Sequence, residues 1–233
     1  VTEGVGGAEP AAAGPQGAAH DAHEFQRLVG HTGPVLSCVC DEAAARMYSS
    51  SVDCTIKVWS LEDNRCVTSV TAGKKPVTHL QLVGGRWLYS TAGRKMRVWD
   101  TSGDQLVCVD CVRIPNHSGN VRCLLVLASR VYLGCQDSSV KAYAMDPATW
   151  DTPDAARTGL VSPWGTNHGP SDAAVGEVPA RDADFSTPEV GAHVGPVNAL
   201  VGARRGELVV SGAGDAMIRV WSAADLTLVR TLR

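Results

Sequence analysis

Two sets of residues in this chain have the types needed for a Ser–His–Asp hydrolase. In such an enzyme the serine oxygen attacks a carbonyl carbon, the histidine takes the serine proton, and the aspartate orients the histidine. Residue type alone therefore leaves a hydrolase open. The first set is His31, Ser49 and Asp53, and the second is His193, Ser211 and Asp215.

The spacing of these residues recurs at the two ends of the chain. Asp53 follows His31 by 22 residues, and Trp59 follows Asp53 by six. The other copy, with both spacings unchanged, is His193, Asp215 and Trp221. A catalytic triad is needed once, whereas a structural unit can be repeated. The recurrence therefore favours a structural role, and we predict no catalytic residue.

Two altered copies lie between these. The third copy is His117, Asp137 and Tyr143, with spacings of 20 and six residues and with Leu133 at the serine position. The second copy runs from Val77 to Trp99 and has Gly73 at the histidine position. From this we expect the second copy to have lost the polar set altogether.

Short runs with a period of two predict strands around each copy. In the first copy they cover "FQRLV" from Phe25, then residues 35–40, 46–51, 55–59 and 65–70. Ile56 and Val58 alternate with Lys57, which places the aliphatic side chains on one face. In the third copy this pattern weakens around Val140, so we expect the sheet of that copy to pack least tightly.

The chain resembles the WD-repeat family. The resemblance rests on "GHTGPVLS" and "SSSVDCTIKVWS" in the first copy and "SGAGDAMIRVWS" in the fourth. It implies an all-β fold, a WD-repeat β-propeller of four-stranded blades around a channel. At about 40 to 45 residues per repeat, four blades fit this chain, whereas family rings commonly have about seven. We therefore expect these four blades to be part of a larger ring.

Four segments follow from this assignment. They are a disordered Gly/Ala/Pro-rich head at 1–23, WD repeats one to three at 24–146, a long Pro-rich surface loop at 147–188, and WD repeat four at 189–233.

The resemblance also implies what the polar sets do. In the family they form a buried hydrogen-bond chain from Trp to Ser to His to Asp. Its members here would be His31, Ser49, Asp53, Trp59, His117, Asp137, Tyr143, His193, Ser211, Asp215 and Trp221.

Composition limits the remaining functions. The net charge is −3 and the pI is near 6.2, which argues against nucleic-acid binding. No apolar run is long enough for a membrane span, so we expect no membrane partner. No phosphate-binding loop or metal-ligand cluster is present, and we predict no cofactor and no metal.

Eight cysteines are best explained as reduced thiols, which favours an intracellular location, in the cytoplasm or alternatively the nucleus.

Basic residues replace the polar set in the second copy. Lys74 and Lys75 lie in the turn that leads into the second repeat, the d–a turn. Arg94 and Lys95 lie in the turn between its second and third strands, the b–c turn. In the family both turns open on one rim, so the four cations would converge on a surface suited to an acidic or phosphorylated peptide. The alternative is that they are merely solvated charges. Three further contact candidates precede the turn aspartates, namely Val52, Gln136 and Gly214.

These observations predict a protein-interaction scaffold that presents a rim to other proteins. One alternative is the regulatory or assembly propeller of a larger enzyme. "VYLGCQDSSVKAY" and the Pro-rich segment after it look like the WD region of fungal glutathione-degrading dipeptidase subunits. A substrate-recruiting subunit of a ubiquitin ligase would also carry such a propeller. A hydrolase using the Ser/His/Asp set is the remaining alternative.

Overall fold

The computed structural model describes residues 27–115, 118–145, 182–188 and 192–233. These residues form four antiparallel sheets, each of four strands. The predicted head at 1–23, most of the predicted loop at 147–188, and His117 lie outside the described residues.

Each sheet is built mainly from strands that follow one another in the chain. The first sheet contains β1 (Val35–Asp41), β2 (Arg46–Ser51), β3 (Thr55–Ser60) and β4 (Cys66–Thr71). The second contains β5 (Val77–Val83), β6 (Trp87–Ala92), β7 (Lys95–Asp100) and β8 (Val107–Arg113). The third contains β9 (Val121–Leu127), β10 (Arg130–Cys135), β11 (Val140–Ala144) and β12 (Phe185–Ser186). The fourth contains β13 (Val197–Ala203), β14 (Leu208–Ala213), β15 (Ile218–Ser222) and β16 (Leu228–Leu232), with a 3₁₀ turn at Arg204–Gly206.

The sheets stack face to face in chain order. The first strands of neighbouring sheets contact one another, β1 with β5, β5 with β9, and β9 with β13. Three apolar cores fill the spaces between the four sheets. Burying one face of each sheet against the next is what the period-two pattern requires. The fold is all-β, as predicted, and its four sheets are the blades of a β-propeller.

Three details differ from the sequence predictions. Arg27–Val29, within the predicted strand "FQRLV", form no strand. The third blade was expected to pack least tightly, and this is wrong: Val140, Ala142 and Tyr143 are at most 1% exposed. Sheets on both sides cover this blade, and Tyr132 and Leu124 supply bulk that β11 lacks. Finally, Phe185 and Ser186, inside the predicted loop, pair with β11 as the outer strand of the third sheet.

Every cysteine of the chain is a free thiol. Cys123 and Cys135 are buried at the sheet interfaces, and burial raises the pKa of each to about 12. Such thiols stay protonated near neutral pH and act as small apolar side chains.

Candidate functional site

The polar set of the first blade joins four segments: His31 precedes β1, Ser49 lies on β2, Asp53 lies in the turn between β2 and β3, and Trp59 lies on β3. His31 Nδ1 lies 2.8 Å from Asp53 Oδ2, and His31 Nε2 lies 2.8 Å from Ser49 Oγ. Trp59 Nε1 donates to the same Ser49 Oγ at 2.7 Å. The donors can therefore all run in one direction, Trp to Ser to His to Asp, with a neutral histidine protonated on Nδ1.

The fourth blade repeats this geometry. Trp221 Nε1 donates to Ser211 Oγ at 2.7 Å, and Ser211 Oγ lies 2.7 Å from His193 Nε2. His193 Nδ1 lies 3.0 Å from both oxygens of Asp215. Arg219 adds a fifth member by donating from Nη1 to Asp215 Oδ2 at 2.7 Å.

These contacts shift the pKa values of the acidic members. Burial alone would raise the pKa of Asp53, but hydrogen bonds from Thr55, His31 and the backbone of Thr32 hold it well below its ordinary value. The pKa of Asp215 is lowered in the same way, against the effect of burial, first by Arg219. Burial also lowers the pKa of His193, in spite of the opposing effect of Asp215.

In the two middle blades the polar set is shorter. Asp137 in the third blade accepts from Ser139 and lies 3.6 Å from Lys141 Nζ, while Tyr143 is fully buried. In the second blade Trp99 Nε1 donates to Ser90 Oγ at 2.8 Å. The expectation that this copy had lost the polar set altogether is therefore wrong, because its Trp–Ser pair remains.

The hydrolase geometry is present twice, but its serine is enclosed. Ser211 is 0% and Ser49 is 3% exposed, and each hydroxyl oxygen already accepts an indole N–H. Ser49 does reach the wall of a cavity of about 320 Å³ beside Trp59 and Met47, on the face of the first sheet opposite the second sheet. Ser211 makes the same hydrogen bonds although the third sheet covers it. The arrangement of Ser, His and Asp therefore forms with or without an adjoining cavity.

The four predicted cations of the second blade line one cavity of about 210 Å³. Lys74 and Lys75 come from the connection between the first two sheets, and Arg94 comes from the turn between β6 and β7. Lys95, predicted in that turn, is instead the first residue of β7, because the turn is only two residues long. The two turns touch: a Cβ added at Gly93 would lie 3.1 Å from Lys75 Cγ.

Two further cations that the sequence reasoning missed, Arg97 and Arg113, also line this cavity. Arg97 lies on β7 and is 1% exposed, and Arg113 ends β8. No acidic residue is among the described residues of the lining, which makes this a strongly positive concave surface. The other candidates, Val52, Gln136 and Gly214, are exposed in the b–c turns of the remaining blades.

Among the described residues, no helix has the length and apolar character needed to cross a membrane.

Comparison with known proteins agrees with the repeat pattern. The profile of the WD domain, G-beta repeat family matches residues 23–60 and 186–222, the first and fourth copies. The U3 small nucleolar RNA-associated protein 15 homolog of Bos taurus is 34% identical over 99 residues, which is 41% of this chain and 18% of that protein.

Two plant proteins match a larger share of the chain at lower identity. Zinc finger CCCH domain-containing protein 17 of Oryza sativa subsp. japonica is 22% identical over 88% of this chain and 38% of its own length. The DENN domain and WD repeat-containing protein SCD1 of Arabidopsis thaliana is 20% identical over 84% of this chain and 13% of its own length. The chain thus spans well under half the length of these relatives. The matched segments are WD repeats, and the four stacked four-stranded sheets have the architecture of WD-repeat propeller blades.

Proposed function

We propose that this chain is a protein-interaction scaffold whose second blade binds an acidic or phosphorylated segment of a partner protein. The observation that carries the proposal is the convergence of six cations on one cavity, with no carboxylate among the described residues that line it. Turns held by packed sheets keep their positions, which lowers the entropy cost of binding. Arginine offers two-pronged hydrogen bonds to a carboxylate or phosphate, and the lysines add point charges.

The chain does no chemistry in this proposal. The serine–histidine sets serve to connect strands within their blades, since each serine oxygen is buried and bonded to an indole. The propellers of a dipeptidase subunit or of a ubiquitin ligase would use this surface in the same way, with the chemistry outside these sheets. We place the protein inside the cell, in cytoplasm or nucleus, with protein rather than nucleic acid or membrane as its partner.

An affinity capture from cell extract tests the proposal. The bait is the intact chain, compared with a variant in which Lys74, Lys75, Arg94 and Lys95 are changed to Glu. The matched control carries the same charge change at exposed cations elsewhere, Arg65, Arg204, Arg205 and Arg230, each changed to Glu.

Bound proteins are identified by mass spectrometry, and thermal melts establish that each variant is folded. Partners retained by the control but lost from the cavity variant support the proposal. A second cavity variant with Gln at all four positions covers the case in which charge reversal unfolds the blade. Identical partners for the wild type and both cavity variants would contradict the proposal and show that these cations are solvated surface charges.

A further inference from the structure

The turn between the second and third strands differs in sign in the second blade. In the first blade Asp53 lies two residues after Ser51, the last paired residue of β2. In the fourth blade Asp215 lies two residues after Ala213, the last paired residue of β14. Counted from the corresponding pair, Val77 with Ala92, the second blade has Arg94 at that position. The turn is one residue shorter, and a guanidinium stands where the other blades have a carboxylate.

A cation on the third strand is common to all four blades. It lies opposite the serine position, as the pairs Ser211 with Arg219 and Ser90 with Arg97 show. In the fourth blade Arg219 donates to the turn carboxylate at 2.7 Å, and in the third Lys141 lies 3.6 Å from it. In the first blade the equivalent Lys57 donates to Ser69 instead. Arg97 therefore has the position of Arg219 but no turn carboxylate beside it.

The cavity occupies the region that the missing side chains leave. Gly73 stands at the histidine position, and its neighbours Lys74 and Lys75 line the cavity together with Arg94 and Arg97. Arg94 Nη1 is buried and has no hydrogen-bond partner among the described residues. A volume of about 210 Å³ is several times the roughly 30 Å³ that one water takes in the liquid. There is room for a tetrahedral anion with some of its water.

We infer that this cavity binds the phosphate of a phosphorylated side chain, which takes the place of the turn carboxylate that the second blade lacks. The inference rests on the proposed function and names its ligand. Six cations, with no carboxylate among the described lining residues, match a dianion better than a single carboxylate. A phosphate has three acceptor oxygens, so the guanidinium groups of Arg94 and Arg97 can both donate to it.

The test is calorimetric titration of the intact chain at fixed ionic strength. The probes are a phosphoserine peptide, the same peptide with Glu in place of phosphoserine, and inorganic phosphate. We expect the phosphopeptide to bind at least tenfold more tightly than the Glu peptide. Inorganic phosphate should compete with it more weakly, which separates recognition of a modified protein from recognition of the free ion. Equal affinities for the phosphoserine and Glu peptides would overturn the inference.

Two substitutions of one residue test where the phosphate lies. Arg94→Asp restores a turn carboxylate beside Arg97 and should abolish phosphopeptide binding while keeping the blade folded. Arg94→Gln removes the same cation without supplying a carboxylate and should weaken binding about tenfold. Equal losses would show that the phosphate does not occupy the carboxylate position.

The two proposals can fail separately. Partners lost from the four-cation variant with no phosphopeptide bound by the wild type would leave the scaffold proposal standing and refute the phosphate site. Phosphopeptide binding with an unchanged partner list would do the reverse.

Discussion

Replacing the serine that Trp221 and His193 share should cost more stability than replacing its counterpart in the second blade. Ser211→Ala leaves two buried groups without their serine partner, the Trp221 indole N–H and His193 Nε2. Ser90→Ala leaves one, the Trp99 indole N–H. Both serines are at most 1% exposed and lose the same single oxygen, so the packing losses should be similar and cancel in the comparison.

The magnitudes follow from the cost of an orphaned buried polar group, about 1–3 kcal/mol each. Ser90→Ala should therefore lose about 1–3 kcal/mol of unfolding free energy, and Ser211→Ala about 2–6 kcal/mol. With a urea slope of about 2 kcal/mol per M, the midpoint of the Ser211 variant should lie about 1–3 M below the wild type.

The assay is equilibrium urea unfolding of wild type and both variants, followed by circular dichroism and tryptophan fluorescence. Agreement between the two probes establishes that one transition is being compared. Losses equal within about 0.5 kcal/mol would mean that His193 gains nothing from Ser211, and the hydrogen-bond chain would then end at the tryptophan.

Two other predictions concern the fourth blade and its boundary with the third. Because the pKa of His193 is lowered from 6.5, the unfolded chain binds more protons than the folded chain as the pH falls through and below 6.5. The unfolding free energy should therefore fall with the pH in that range, and His193→Asn should flatten the fall. Half-buried His79, whose pKa is also lowered, should keep part of the slope. A pH series of urea midpoints that is identical for variant and wild type would contradict the assignment. Gly134→Ala should destabilise by about 1–3 kcal/mol, because its new Cβ would lie 2.5 Å from Cys123 Sγ and 2.8 Å from Val197 Cγ1. The corresponding Gly212→Ala, whose Cβ would meet only Ala199 at 4.0 Å, is the control in the same thermal melts, and equal melting temperatures for the two variants would refute the packing argument.

The first and fourth blades were the most predictable part of the chain. A fixed spacing of His, Asp and Trp carries both the strand register and the hydrogen-bond partners, because a turn of constant length brings the same positions together. The predicted cations of the second blade also lie together, since the turns that hold them are adjacent in a propeller.

The shortened turn of the second blade is the reason that the sequence analysis missed Ser90. Ser90 precedes its tryptophan by nine residues, whereas Ser49 and Ser211 precede theirs by ten. Allowing for one residue fewer between the serine and the third-strand cation would have found it, since Ser49 lies eight residues before its pairing partner Lys57 and Ser90 lies seven before Arg97. The same register would have added Arg97 to the basic residues. The strand at Phe185 had no such signal, because two residues are too few to show a period.

That strand also bears on the order in which the blades fold. In the first, second and fourth sheets every strand pairs with the strand before or after it in the chain, so each sheet can form through local hairpins. The third sheet can form β9, β10 and β11 in this way, but β12 pairs with β11 across a separation of 40 residues along the chain. The entropy cost of bringing these strands together must be offset by the pairing of Phe185 and Ser186 and by the hydrogen bonds that Asp184 and Thr187 make with β11. The edge of the third blade is thus expected to be the last piece to form and the first to open.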